Sequence, residues 1–220
     1  EHRFLGLLTS KAYAEESAEI PILRRRLAQI LQAERIMRGS HDHKEIVAIF
    51  NSMPKTELFS VSVEELRADI HTIMSIERTS EVHVTFRPDA LERGVAVMVI
   101  MPRDKFSGAI RARIQEALGA RFGGQVIDYH LALGEGDQAR LHFFLAAPRE
   151  RVHAVRWEDL RREIAELARS WDDRLAERLA ALHGDERGHE LAERYARAFP
   201  EAYKAATEVP TAANDIRHLE

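Results

Sequence analysis

His41-Asp42-His43 places three potential metal ligands in a row, and imidazole with carboxylate suits zinc or a ferrous ion. At a helix start, however, consecutive side chains point in different directions, so the run predicts a capping Asp42 between solvated histidines. His189 and Glu193 have the i, i+4 spacing of a helical chelate, with His183 near, but no third ligand completes the set. Gly134-Glu135-Gly136-Asp137-Gln138-Ala139 matches the dinucleotide fingerprint. A pyrophosphate cradle must open into a helix whose N–H groups face the phosphate. Here the pattern opens into Leu141-His142-Phe143-Phe144-Leu145, which alternates like a strand, so a hairpin turn is expected. His83 and His142 lie on strands opposite apolar positions, as surface or capped residues and not general bases. There is no Walker loop, Gly-x-Ser-x-Gly elbow, carboxylate pair or Ser–His–Asp set, and no catalytic, cofactor-binding or metal residue is assigned. Arg103 and Lys105, at a strand-to-helix turn, are the one pair that could hold a small carboxylate ligand; solvated loop cations are the plainer account.

Composition narrows the classes further. The chain has 220 residues and no cysteine, which removes disulfides, thiolate metal sites and a cysteine nucleophile. The cytoplasm is the expected compartment. With 32 basic against 36 acidic side chains the net charge is −4, which gives no field for a polyanion, so no nucleic-acid partner is expected. The 27 arginines alternate with Glu and Asp, as in a salt-bridged solvated surface. No apolar run approaches the length of a membrane span, and no membrane partner is expected. Starting at Glu1, the chain reads as a piece of something longer.

The elements follow from hydrophobic period. Arg3 to Leu8 is strand-like, and residues 1–15 are expected to be the end strand of a preceding domain. Over 16–79 the period is helical: Ile20, Leu23, Leu27, Ile30 and Leu31, then Ile46, Val47, Ile49 and Phe50, then a helix capped by Ser62 and Glu65. Residues 80–149 read as an α+β unit, in which two hairpins around one helix form an antiparallel sheet with helices on one face. In its first strand Val82, Val84 and Phe86 face inward, and Glu81, His83, Thr85 and Arg87 outward. The run Val95 to Met101 suits a central strand covered on both faces. Over 150–206 long amphipathic helices are expected, with Trp157 and Trp171 on one stripe of a seven-turn contact helix, and 207–220 reads as a linker.

Several stretches carry a resemblance beyond periodicity. Arg3 to Tyr13, His41-Asp42, Met53 to Phe59, Val99 to Phe106, Ala139 to Phe143 and Arg169 to Leu175 look like the large bacterial NAD-specific glutamate dehydrogenases, in matching order across nearly the whole chain. The resemblance implies the non-catalytic region upstream of the dehydrogenase core, with ACT-type domains and helical connectors, and places residues 207–220 as a linker toward that core. It implies a parent that oxidises glutamate to 2-oxoglutarate with NAD as cofactor, and that forms a homo-oligomer. No motif of the family's catalytic lysines or nucleotide fold matches residues 1–220. The implied role is regulatory and structural, through contacts with other domains of the same chain or other subunits. The alternative is an amino-acid-sensing ACT-type module. An ACT domain usually runs βαββαβ, and the two hairpins around one helix depart from that order.

Overall fold

The computed structural model of the chain describes residues 14–76, 81–133 and 137–220, which divide into two compact units, one ending at Ile164 and one beginning at Ala165. The expected strand at Arg3 to Leu8 and the Gly134–Gly136 turn lie outside the described residues.

The first unit opens with helices α1 (Pro21–Ala33), α2 (His41–Ser52), α3 (Lys55–Ser60) and α4 (Val63–Ile76). Pro21 occupies the first turn of α1, where its missing N–H leaves no bond unmade. The Ser62–Glu65 capping box starts α4: the Glu65 N–H donates to Ser62 Oγ at 3.2 Å, and the Ser62 N–H donates to Glu65 Oε2 at 3.0 Å. Ser40, rather than Asp42, caps α2 by accepting the His43 N–H. The short α3 is a turn of helix that follows Pro54.

Strands β1 (His83–Pro88), β2 (Gly94–Pro102), β3 (Gln125–Leu133) and β4 (Gln138–Ala146) form one antiparallel sheet in the order β1-β2-β4-β3. Helix α5 (Gly108–Phe122) joins β2 to β3 across β4. This is the expected α+β sheet of two hairpins around a helix. Gly123 ends α5 in the left-handed conformation (φ 60°), which a side chain would strain. Two further helices follow, α6 (Arg149–Ala154) and α7 (Trp157–Leu167).

Strand register gives the sheet two inward faces. Phe86, Val97 and Phe143 are cross-strand partners on one face, and the Trp157 ring of α7 packs at a tilt against Phe86 (centroids 4.9 Å apart) and Phe122 of α5 (5.9 Å). The opposite face carries Thr85, Arg87, Met98, Ile100, Arg140 and His142. Met98 and Ile100 share a core with Leu23, Ile46, Phe50, Leu58, Leu66 and Ile73 of α1–α4. The sheet is therefore covered on both sides, not one. The continuous apolar run of β2 requires this, because β2 buries residues of both parities. The Arg87 face of β1, expected to meet solvent, lies under the helices.

The second unit contains α8 (Trp171–His183), α9 (Asp185–Ala196), α10 (Glu201–Ala206) and α11 (Val209–Leu219). Its core joins Leu175, Leu179, Leu191, Ala192, Val209, Ala212, Ala213 and Ile216. The seven-turn helix expected from Trp157 is two helices, α7 and α8. Ser170 ends the continuity with a capping box of its own, formed with Asp173. The later part of the helical stretch expected over 150–206 is likewise split, into α9 and α10, by the Arg197–Pro200 stretch. Residues 207–220, expected as a linker, are helical over Val209–Leu219, and α11 buries four side chains.

Candidate functional site

On the helix-covered face of the sheet Arg140 and His142 are buried and Arg87 is largely so, and such groups need partners within the first unit. Arg87 of β1 bridges two carboxylates from different helices, Asp69 Oδ2 of α4 at 2.5 Å and Glu57 Oε2 of α3 at 3.1 Å. The other Glu57 oxygen lies 3.2 Å from His142 Nδ1 of β4, a ring only 3% exposed. His130 of β3 sits opposite His142 in the strand register, and its Nε2 lies 3.1 Å from the Ser52 carbonyl at the end of α2. Charge-assisted hydrogen bonds thus tie β1 and β4 to α3 and α4, and His130 adds a neighbouring link from β3 to the end of α2.

The groups titrate differently although they share one cation. Burial raises Glu57, but the hydrogen bond from His142 and the charges of His142 and Arg87 outweigh it and hold the carboxyl below its usual range. At Asp69 burial wins over the same Arg87, and the carboxyl is pushed up. Burial would lower Arg87, yet Asp69 and Glu57 keep the guanidinium even more firmly charged. His130 is pushed down, first by its partial burial and then by the neighbouring His142. The arrangement locks helices to sheet. It presents no nucleophile and no pocket over a base.

The residues singled out from sequence occupy other places. Arg103 is exposed in a 3-10 turn (Arg103–Lys105), and its N–H donates to the Asp137 carbonyl. Lys105 is half-buried in the same turn, and the start of α5 beyond it is capped by Ser107, which accepts the Ile110 N–H. Trp157 belongs to the sheet core of the first unit. Trp171 belongs to an aromatic group of the second, where its Nε1–H donates to the Thr207 carbonyl at 2.9 Å and its ring meets Phe199 and Tyr203. They are not one exposed contact stripe. Among the described residues, His41, Asp42 and Glu45 bring ligand atoms within 4.8 Å of one another on the outside of α2, with His43 outside the set. The His41 ring is 86% exposed beside Glu45, an ordinary surface pair. His189 and Glu193 form a similarly exposed pair at 3.6 Å. The residues after the glycine pattern form β4, so they offer no helix N-terminus to a dinucleotide.

Sequence reasoning missed Glu57, Asp69, Arg87 and His130. The available signal was the two-sided apolar run of β2, which calls for a second cover and so turns the polar residues of its neighbouring strands inward.

Comparison with known families agrees with this architecture. Three consecutive family models match: glutamate dehydrogenase helical motif 1 over residues 20–79, its ACT2 domain over 83–172, and helical motif 2 over 178–220. The NAD-specific glutamate dehydrogenase of Halomonas elongata is 30% identical over 219 residues, that of Pseudomonas aeruginosa 27% over 220, and that of Mycobacterium tuberculosis 30% over 228. These alignments cover 98–100% of this chain and 14% of each relative. The polar network thus joins the segment matched by helical motif 1 to the sheet of the ACT2 domain, and the chain belongs to the NAD-specific glutamate dehydrogenase family as its region of ACT2 domain and flanking helical motifs.

Proposed function

We propose that this chain is a non-catalytic regulatory and architectural segment of an enzyme that oxidises L-glutamate to 2-oxoglutarate with NAD, working in the cytoplasm and as a homo-oligomer. The observation that carries this reading is the Glu57–Arg87–Asp69–His142 network, which fixes helices to sheet. A first unit so fixed internally transmits position between neighbouring domains. NAD and substrate are held by other parts of the enzyme in this reading, and no chemical step is assigned to these residues. Among the described residues no helix is long and apolar enough to cross a membrane. The contact element proposed is the edge strand β3, where Tyr129 (48%) and Leu133 (46%) remain exposed on a strand with one unpaired side.

Two measurements test the reading. The purified 220-residue chain, given glutamate and NAD, should form no NADH at 340 nm above the buffer rate; formation of NADH overturns it. In the whole enzyme, replacing both Tyr129 and Leu133 with Ser should lower the sedimenting mass or open protease sites between domains. An unchanged assembly with unchanged protection removes β3 as the contact element.

A further inference from the structure

A hollow of about 290 Å3 opens between the end of α5, the end of α6 and the start of α7. Three arginines line it: Arg121 of α5, Arg151 of α6 and Arg156 in the turn before α7. Its wall includes Val155 and the fully buried Leu160, so one side is apolar. Two of the arginines already hold carboxylates. Arg121 contacts Glu163 at 2.6 Å, and Arg156 contacts Asp159 at 3.2 Å. Arg151 differs, because among the described residues its side chain has no hydrogen-bonding or ionic partner. It is nevertheless positioned, since its guanidinium lies against the backbone of Gly123, close enough that a Cβ there would stand 3.6 Å from Arg151 Nε. The left-handed glycine that ends α5 therefore also makes the bed for this cation.

We propose that the hollow bounded by Arg121, Arg151 and Arg156 binds a small organic anion through a carboxylate or phosphate group. Planar guanidinium forks match both groups in bidentate geometry, and the two carboxylates already seated on Arg121 and Arg156 show that the arrangement accepts them. Arg151 supplies the unspent charge, Arg121 and Arg156 their remaining N–H donors, and Val155 with Leu160 a surface for the ligand's carbon skeleton. Asp159, which faces the same space, sets the limit on affinity by repelling the anion. The site lies apart from the Arg103–Lys105 turn and stands independently of the architectural reading above.

The test uses the purified protein carrying this chain, with citrate and inorganic pyrophosphate as probes at millimolar concentration and sodium chloride at matched ionic strength as reference. Citrate, pyrophosphate or both should raise the melting temperature above the chloride reference, as binding to the folded state requires. By calorimetry Arg151→Gln should weaken binding about tenfold, the loss of a charge-assisted hydrogen bond. Asp159→Asn should tighten it, a gain that a merely unfolded variant could not give. The double variant Arg103→Gln, Lys105→Gln should leave it unchanged. Response to one probe only assigns the ligand class, carboxylate or phosphate. An equal shift in chloride, no heat with either probe, or equal affinity in Arg151→Gln would mean an adventitious ion only and would overturn the proposal.

Discussion

Glu57 accepts from Arg87 with one oxygen and contacts His142 with the other, so its removal strands two polar groups at once. Glu57→Ala should destabilise the first unit by about 2–3 kcal/mol in urea denaturation, because breaking a largely buried pair leaves its partners uncompensated. A double-mutant cycle with His142→Ala should show non-additivity, and strict additivity would mean the contact carries no coupling. The pH dependence follows from the direction of each shift. His130 is depressed, so the unfolded chain binds more protons just below its usual value of 6.5, and stability should fall as pH drops through that region to the folded value. Glu57 is also depressed, and its contribution, complete above 4.5, should be lost as pH falls through its lower folded value. Asp69 is raised and works the other way, taking up its proton early in the fold. Melting curves of Asp69→Asn should therefore decline more steeply toward acid than those of the unaltered protein. The sequence showed His142 as a strand histidine, but not its partner, because Glu57 lies 85 residues away.

Helices and strands were legible wherever the local period is regular. The Ser62 capping box, the alternation of β1 and the apolar stripe of α5 each follow from local period and are present. The failures are at breaks. Trp157, Leu160, Ile164, Leu167, Trp171, Leu175 and Leu179 keep step across Ser170, and the stripe masks a boundary that Ser170 and Asp173 set by capping each other's backbone N–H. Ser170→Ala should cost about 1 kcal/mol and be seen as earlier loss of helical circular dichroism. Gly188, by contrast, marks no break. It lies inside α9, where a Cβ would stand 2.3 Å from the Ala180 Cα of α8. Gly188→Ala must push two helix backbones apart, and an expected loss of about 1–3 kcal/mol in thermal unfolding checks that close approach. Helix α11 was hidden for another reason. Its buried positions Val209, Ala212, Ala213 and Ile216 are mostly small, so the stripe is faint until the helix is packed.

For the whole molecule, the consequence of two-sided burial is that the α+β unit is not complete without the helices before it. A truncated chain beginning at residue 81 would expose Met98 and Ile100 and leave Arg87, Arg140 and His142 without their helical cover. It should bind the dye ANS and aggregate during size-exclusion chromatography, whereas the intact chain should do neither; a soluble, monomeric truncation would show the cover to be dispensable. The composition class, the helix and strand periods, the α+β order and the resemblance to glutamate dehydrogenases are legible in the chain alone, since each depends on neighbours a few residues apart or on a linear pattern. Tertiary packing alone settles that both faces of the sheet are covered, which carboxylate meets which arginine, and that the two tryptophans serve separate cores. Those outcomes depend on contacts between residues far apart in the chain, where period specifies that a face must be buried but not by what.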